Sequence, residues 1–171
     1  MAFSIEASDL HWIHGTEDDP RDVCLHGSAE ARIGGRTLAY DDVAVSAAGL
    51  YLLKTLTEDH CAGEGSQMLP HCGHFLVPDE AGESVTNVGC DNGVDWTVRH
   101  EGDDVILELA DGTAERLPLA AYREEVFRFA DGIEAYYRSC AEKQFGKGED
   151  FEERAYEAFW REWRRRRNGG R

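Results

Sequence analysis

The sequence has no long hydrophobic run and none of the short motifs that mark common enzyme classes. No stretch of the 171 residues approaches the roughly 20 consecutive apolar residues that span a bilayer, so no membrane-spanning segment is predicted. The phosphate-binding patterns G-x-x-x-x-G-K-[ST] and G-x-G-x-x-G do not occur, nor do the hydrolase pattern G-x-S-x-G and the metalloprotease pattern H-E-x-x-H. The sequence therefore favours a protein that is not an enzyme.

Cysteine is too sparse for a disulfide-stapled scaffold. The chain has five cysteines, an odd number, at positions 24, 61, 72, 90 and 140. Disulfide-rich folds are typically short and have an even cysteine count, so free thiols in a reducing compartment are predicted. The first fifteen residues have neither the basic start nor the apolar run of a secretory signal, and we therefore expect a cytoplasmic location.

Positive charge is also scarce and is unevenly placed. The 34 acidic residues outnumber the 18 basic ones, which gives a net charge of −16. Residues 161–171 carry +5 and the rest of the chain −21. Such a body repels nucleic acid and anionic membranes and attracts a basic partner. The charge predicts a non-enzymatic protein that binds a basic macromolecule, in the manner of an inhibitor or immunity protein; the alternative is that it serves solubility alone.

The arginine-rich end, REWRRRRNGGR, allows three interpretations. Arginine at a helix C-terminus suits the helix dipole, and an acidic body would hold the basic segment against itself. The segment could instead contact another protein, including a second copy of the chain. Arginines interleaved with aromatic residues also occur in nucleic-acid binders, but the acidic body argues against that interpretation.

The pattern of apolar residues predicts an α+β fold. Short strand-like segments linked by turn residues predict an antiparallel meander of about six or seven strands. Helical periodicity predicts a central helix at 46–60 and two C-terminal helices at 119–142 and 150–167. We expect one domain over residues 1–167 and a frayed tail at 168–171.

The densest group of chemically active residues is His71-Cys72-Gly73-His74. On an extended chain Cys72 and His74 lie on one face, because side chains alternate. Cys90 follows in a turn that a neighbouring strand could bring close. With His60 or Cys61 these residues would give the four sulfur and nitrogen ligands that suit zinc. The predicted metal ligands are Cys72, His74, Cys90 and His60.

Two alternatives to zinc remain for this segment. Cys72 could act as a catalytic thiol, for which His100 or His26 would have to lie within hydrogen-bond distance and lower its pKa. Cys72 and the neighbouring histidines could also be structural residues of a strand, the sulfur buried and the imidazoles bonded to backbone groups. The sequence leaves the partner, the oligomeric state and any catalytic residue open.

Overall fold

A computed structural model describes residues 3–15 and 17–169 and confirms the α+β class. In chain order the strands are β1 (Phe3–His11), β2 (His26–Ile33), β3 (Arg36–Val43), β4 (Leu69–Pro70), β5 (Leu76–Pro78), β6 (Val85–Asn87), β7 (Gly93–Val94), β8 (Thr97–Glu101), β9 (Asp104–Glu108) and β10 (Ala114–Pro118). The helices are α1 (Val45–Lys54), α2 (Leu119–Ser139) and α3 (Asp150–Arg167).

The strands form four small antiparallel sheets, so the predicted single meander of six or seven strands is only partly matched in strand count and sheet arrangement. β1, β2 and β3 form one sheet, and β8, β9 and β10 form another. The hairpin β5–β6 is a third sheet, while β4 pairs with β7 and so encloses that hairpin along the chain. The ladders here are short because Pro70 and Pro78 lack the backbone N–H that a ladder needs.

All three predicted helices are present. α3 has the predicted bounds, whereas α1 and α2 end earlier than predicted, at Lys54 and Ser139. The predicted apolar face of α2 is buried: Tyr122, Val126 and Ile133 are each at most 1 % exposed. These side chains and the inward faces of the two larger sheets form the main hydrophobic core.

Two further sequence predictions concern membrane-spanning segments and the C-terminal tail. No helix within residues 3–15 and 17–169 is long and apolar enough to cross a lipid bilayer. The tail expected to fray, 168–171, lies partly outside the described residues. Its first two members, Asn168 and Gly169, continue α3 as a turn, with backbone N–H groups donating to the carbonyls of Arg164 and Arg166.

Helices α1 and α3 are in close contact at Gly49. The ring of Trp163, which is fully buried, occupies the place where a Cβ on residue 49 would lie. The Cδ1 atom of Ile133 on α2 is 3.2 Å from the same point. Glycine is unfavourable inside a helix, so its presence here reflects this close three-helix contact.

Gly49→Ala should destabilise the protein, although alanine favours helices. The added methyl group overlaps the Trp163 ring, and overpacking of this kind typically costs about 1–3 kcal/mol. Gly132→Ala in α2 is the matched control, since no atom lies within 4 Å of the position that its methyl group would take, and the substitution should add about 0.5–1 kcal/mol. Urea unfolding of both variants measures the difference; equal stability would contradict the contact.

Candidate functional site

Residues 71–75, which include Cys72, lie beside residues 88–92, which include Cys90, because backbone pairing holds the two segments together at each end. At one end β4 pairs with β7, and the His71 N–H donates to the Asn92 carbonyl at 3.0 Å. At the other end the Val88 N–H donates to the Phe75 carbonyl at 2.8 Å, extending the β5–β6 ladder. The two irregular segments between these pairings therefore run side by side.

Within this region the sulfur atoms of Cys72 and Cys90 are 2.9 Å apart. Both residues are partly exposed and both are free thiols. The Asn87 side-chain amide donates to the Cys72 carbonyl at 3.1 Å and so fixes the backbone there. Gly89 permits the approach, since a Cβ on it would lie 3.0 Å from the same carbonyl oxygen. The structure thus brings together two of the four predicted metal ligands.

The two thiols influence each other's ionisation. A hydrogen bond from the Cys72 thiol to the Cys90 sulfur lowers the pKa of Cys90, and the backbone N–H of Asn92 acts in the same direction. The same bond raises the pKa of Cys72, and the Asp42 carboxylate adds to that rise. The favoured ionised form is therefore a thiolate on Cys90 that accepts a hydrogen bond from Cys72.

The remaining residues of the segment border a surface cavity of about 360 Å³. His71 Nδ1 lies 3.0 Å from the Asp42 carbonyl oxygen, and His74 is exposed. The rings of His11 and His26 stack on the opposite side, with centroids 6.0 Å apart. The cavity is lined by His11, Ile13, His26, Asp42, His71, Cys72 and His74.

The third predicted ligand, His60, has a different partner. Its Nε2 atom lies 2.8 Å from Asp95 Oδ1, and its backbone forms a bridge with Val98. Asp95 also accepts the backbone N–H groups of Gly63 and Met68. Burial raises the pKa of the Asp95 carboxyl, but these hydrogen bonds outweigh it and hold that pKa below its ordinary value. His60 and Asp95 together anchor the loop after α1.

The described residues therefore do not assemble the predicted zinc site. Within residues 3–15 and 17–169, no group of three or more His, Cys, Asp or Glu side chains is placed to hold a metal ion. Cys72 and Cys90 could supply two thiolates, and His74 follows nearby on the exposed surface. Zinc binding by Cys72, His74, Cys90 and His60 stays a prediction, and it would require His60 to leave Asp95.

The histidines considered as partners of a catalytic Cys72 are engaged elsewhere. His100 Nδ1 lies 2.7 Å from Asp59 Oδ1. His26 Nε2 lies 3.8 Å from the sulfur of Cys24, a buried thiol whose pKa is raised by burial to about 12. The hydrogen-bond partner of the Cys72 sulfur is Cys90. The partner of the Cys72 sulfur is thus a second thiol, not the imidazole that a catalytic Cys–His pair requires.

A second feature is an acidic groove on the outer face of the β1–β3 sheet. Its volume is about 440 Å³, and it is lined by Glu6, Ala7, Ser8, Asp9, Ser28, Ala29, Glu30, Arg32, Ala39 and Asp41. The side chains between the acids are small, which leaves room for side chains of another molecule. The groove holds four carboxylates and one arginine, so its potential is negative.

Two features of the backbone distinguish the acidic groove. Glu6 and Glu30 are directly opposite in the register of β1 and β2, an arrangement that destabilises a sheet. Asp9 sits in a bulge and has φ 52°, and it is the only non-glycine residue with positive φ among residues 3–15 and 17–169. Strained bulges that re-aim a side chain are common at functional positions.

Four arginines near the end of α3 contact the body of the protein. Arg166 binds Glu162 at 2.8 Å and Glu58 at 2.7 Å, and Arg167 binds Asp131 at 2.6 Å. Arg161 and Arg165 donate to the carbonyl oxygens of the β5–β6 turn. These contacts fit the interpretation in which the basic segment is held by the acidic body.

Comparison of the chain with protein-family models, with curated proteins and with solved structures finds no match. The site must therefore be interpreted from its own geometry.

Asp95→Asn should loosen the loop after α1, because the amide cannot accept all the hydrogen bonds that the carboxylate accepts. We expect a loss of about 1–3 kcal/mol in the free energy of unfolding at neutral pH. The folded-state pKa of Asp95 is depressed, so its contribution is present above the unfolded pKa and lost as the pH falls through the folded pKa.

The measurement is urea unfolding of both proteins between neutral and acidic pH. The stability difference should shrink as the pH falls. A difference that does not change with pH would show that the ionised Asp95 carboxylate is not what anchors the loop.

Proposed function

We propose that the protein binds a basic macromolecular partner through the acidic groove, and that it acts by occupying that partner rather than by catalysis. The supporting observation is the concentration of Glu6, Asp9, Glu30 and Asp41 around one shallow depression with a floor of small side chains. A lysine or arginine side chain that enters the groove meets several carboxylates at once, which strengthens the interaction.

The placement of the arginines supports the same proposal. Arg166 and Arg167 of α3 are engaged with Glu58, Asp131 and Glu162, so they do not cancel the surface acids of the groove. Near the groove, Arg32 pairs with Glu30 at 2.8 Å, while Arg128 approaches Glu6 only to 3.9 Å. Glu6 keeps 74 % of its side chain exposed and is available to a partner.

The proposal carries three expectations about partners. A body of this charge repels nucleic acid and anionic membrane surfaces, so the partner is a basic protein. Association is steered by charge and is therefore fast at low ionic strength. An inhibitor or immunity function, in which an acidic protein covers the basic cleft of a cytoplasmic target, is the biological role that fits these properties best.

Neutralising the acidic groove should weaken binding while leaving the fold intact. The test variant is the triple substitution Glu6→Gln, Glu30→Gln and Asp41→Asn. The control is Glu80→Gln, Asp103→Asn and Glu108→Gln, which removes the same charge from exposed acids outside the groove. Partners are captured from lysate at low salt on wild-type protein, and the affinity of the captured protein is then measured against all three forms.

We expect the groove variant to bind the captured partner roughly tenfold or more weakly than the control, and wild-type affinity to fall with added salt. If both variants weaken binding equally, net charge and not the groove is responsible. If neither does, the proposal is wrong.

A further inference from the structure

The proposed binding function does not use the two adjacent thiols, Cys72 and Cys90. Their separation of 2.9 Å is longer than a disulfide bond of about 2.05 Å, yet shorter than an ordinary contact between non-bonded sulfur atoms. The two sulfur atoms would have to approach each other by about 0.9 Å to form that bond. Both residues are partly exposed, so a small reagent can reach them.

We propose that Cys72 and Cys90 form a thiol–disulfide exchange site whose substrates are disulfides of small thiols. This inference is independent of the acidic groove, which lies on the outer face of the β1–β3 sheet.

The geometry assigns different roles to the two sulfur atoms. Cys72 is the better anchored residue: its carbonyl accepts the Asn87 amide, and the next residue, Gly73, packs against Ala44 and Ala47 of the helix α1 region. Cys90 also lies in an irregular segment, but both of its neighbours, Gly89 and Asp91, are exposed, whereas Gly73 is buried. Cys90 is therefore the attacking residue. Cys72 is the resolving residue, and its sulfur lies 2.9 Å from that of Cys90.

The exchange balances in two steps. Cys90 loses its proton, and its thiolate attacks one sulfur of a disulfide R–S–S–R, forming a Cys90–S–S–R mixed disulfide and releasing one R–S⁻, which takes up that proton. Cys72 then loses its proton and attacks the Cys90 sulfur, which releases the second R–S⁻ and closes the Cys72–Cys90 bond. The protein loses two electrons and two protons, and the small disulfide is reduced to two R–SH.

A nearby glycine makes the second step possible. Gly89 faces the Cys72 carbonyl, and a methyl group there would sit 3.0 Å from the oxygen and 3.6 Å from the Cys72 Cβ atom. Such a group would push the two segments apart. It would slow closure of the intramolecular bond more than the first attack, which needs only the Cys90 sulfur.

The test begins with reduced wild-type protein and the uncharged reagent bis(2-hydroxyethyl) disulfide. After the remaining thiols are blocked, peptide mapping should find a Cys72–Cys90 disulfide and blocked thiols at the other three cysteines. The wild-type map requires no substitution and so does not depend on the folding of a variant. Absence of this disulfide, or a preferential reaction at the exposed Cys61, would overturn the proposal.

Single variants then test the roles. Cys72→Ser should accumulate the mixed disulfide on Cys90, and this should form at least about threefold faster than the mixed disulfide on Cys61 in the same molecule. Cys90→Ser should leave Cys72 slow to react. Cys61→Ser is the matched control and should form the Cys72–Cys90 bond at the wild-type rate.

Gly89→Ala tests the positioning of the two sulfur atoms separately from the reactivity of the Cys90 thiol. We expect Cys90 in this variant to form its mixed disulfide at close to the wild-type rate and to close the intramolecular bond several-fold more slowly, so that the mixed disulfide becomes detectable. Equal rates of closure in Gly89→Ala and wild type would show that the close approach of the two segments has no part in the exchange.

Discussion

The buried carboxylate of Glu162 holds together elements that are far apart in the sequence. It is fully buried on α3 and is approached by Lys54 of α1 at 3.5 Å and by Arg166 at 2.8 Å. Its second oxygen accepts the backbone N–H of Val85 on β6 at 2.9 Å. Each of these groups alone would be costly to bury. Removing one partner would leave an uncompensated charge, which typically costs about 3–5 kcal/mol.

This network also determines where the hairpin β5–β6 lies. Lys54 donates to the Val85 carbonyl, and Arg161 and Arg165 donate to carbonyls of the turn between the two strands. The hairpin has only three residues in each strand and could not persist alone. Because α3 fixes it from outside, the segments before and after it return side by side, and Cys72 meets Cys90. The arginine-rich helix thus supports the thiol pair structurally.

The parts of the fold that could be predicted from sequence are those with a long periodic signal. α3 shows its apolar stripe and its charge asymmetry over eighteen residues, and its predicted bounds agree with the structure. The region from β4 to β7 offers no such signal, because strands of two or three residues have too few alternations to reveal a face. The pairing of β4 with β7 across an intervening hairpin is likewise invisible in local composition.

The candidate site shows the same limit. The sequence suggests that Cys72 and Cys90 could meet, because Cys90 is expected in a turn that a neighbouring strand could bring close, but it cannot show what lies opposite His60. Asp95, its actual partner, is one of 34 acids and has no distinguishing neighbours. The acidic groove is hidden in a similar way, since Glu6, Glu30 and Asp41 belong to three strands. Only the strand register brings their carboxylates to one face.

The charge of the molecule links the two proposals, because it affects them in opposite ways. A net charge of −16 attracts a basic protein, yet it disfavours a further negative charge on a thiol and repels anionic disulfides. At Cys90 the hydrogen bonds from the Cys72 thiol and the Asn92 N–H stabilise the thiolate and so offset the unfavourable effect of the net charge. Disulfides that are neutral or cationic approach such a surface without repulsion. We therefore expect added salt to oppose the proposed binding at the acidic groove and to leave the proposed exchange between Cys90 and an uncharged disulfide nearly unchanged, since only the binding depends on long-range attraction.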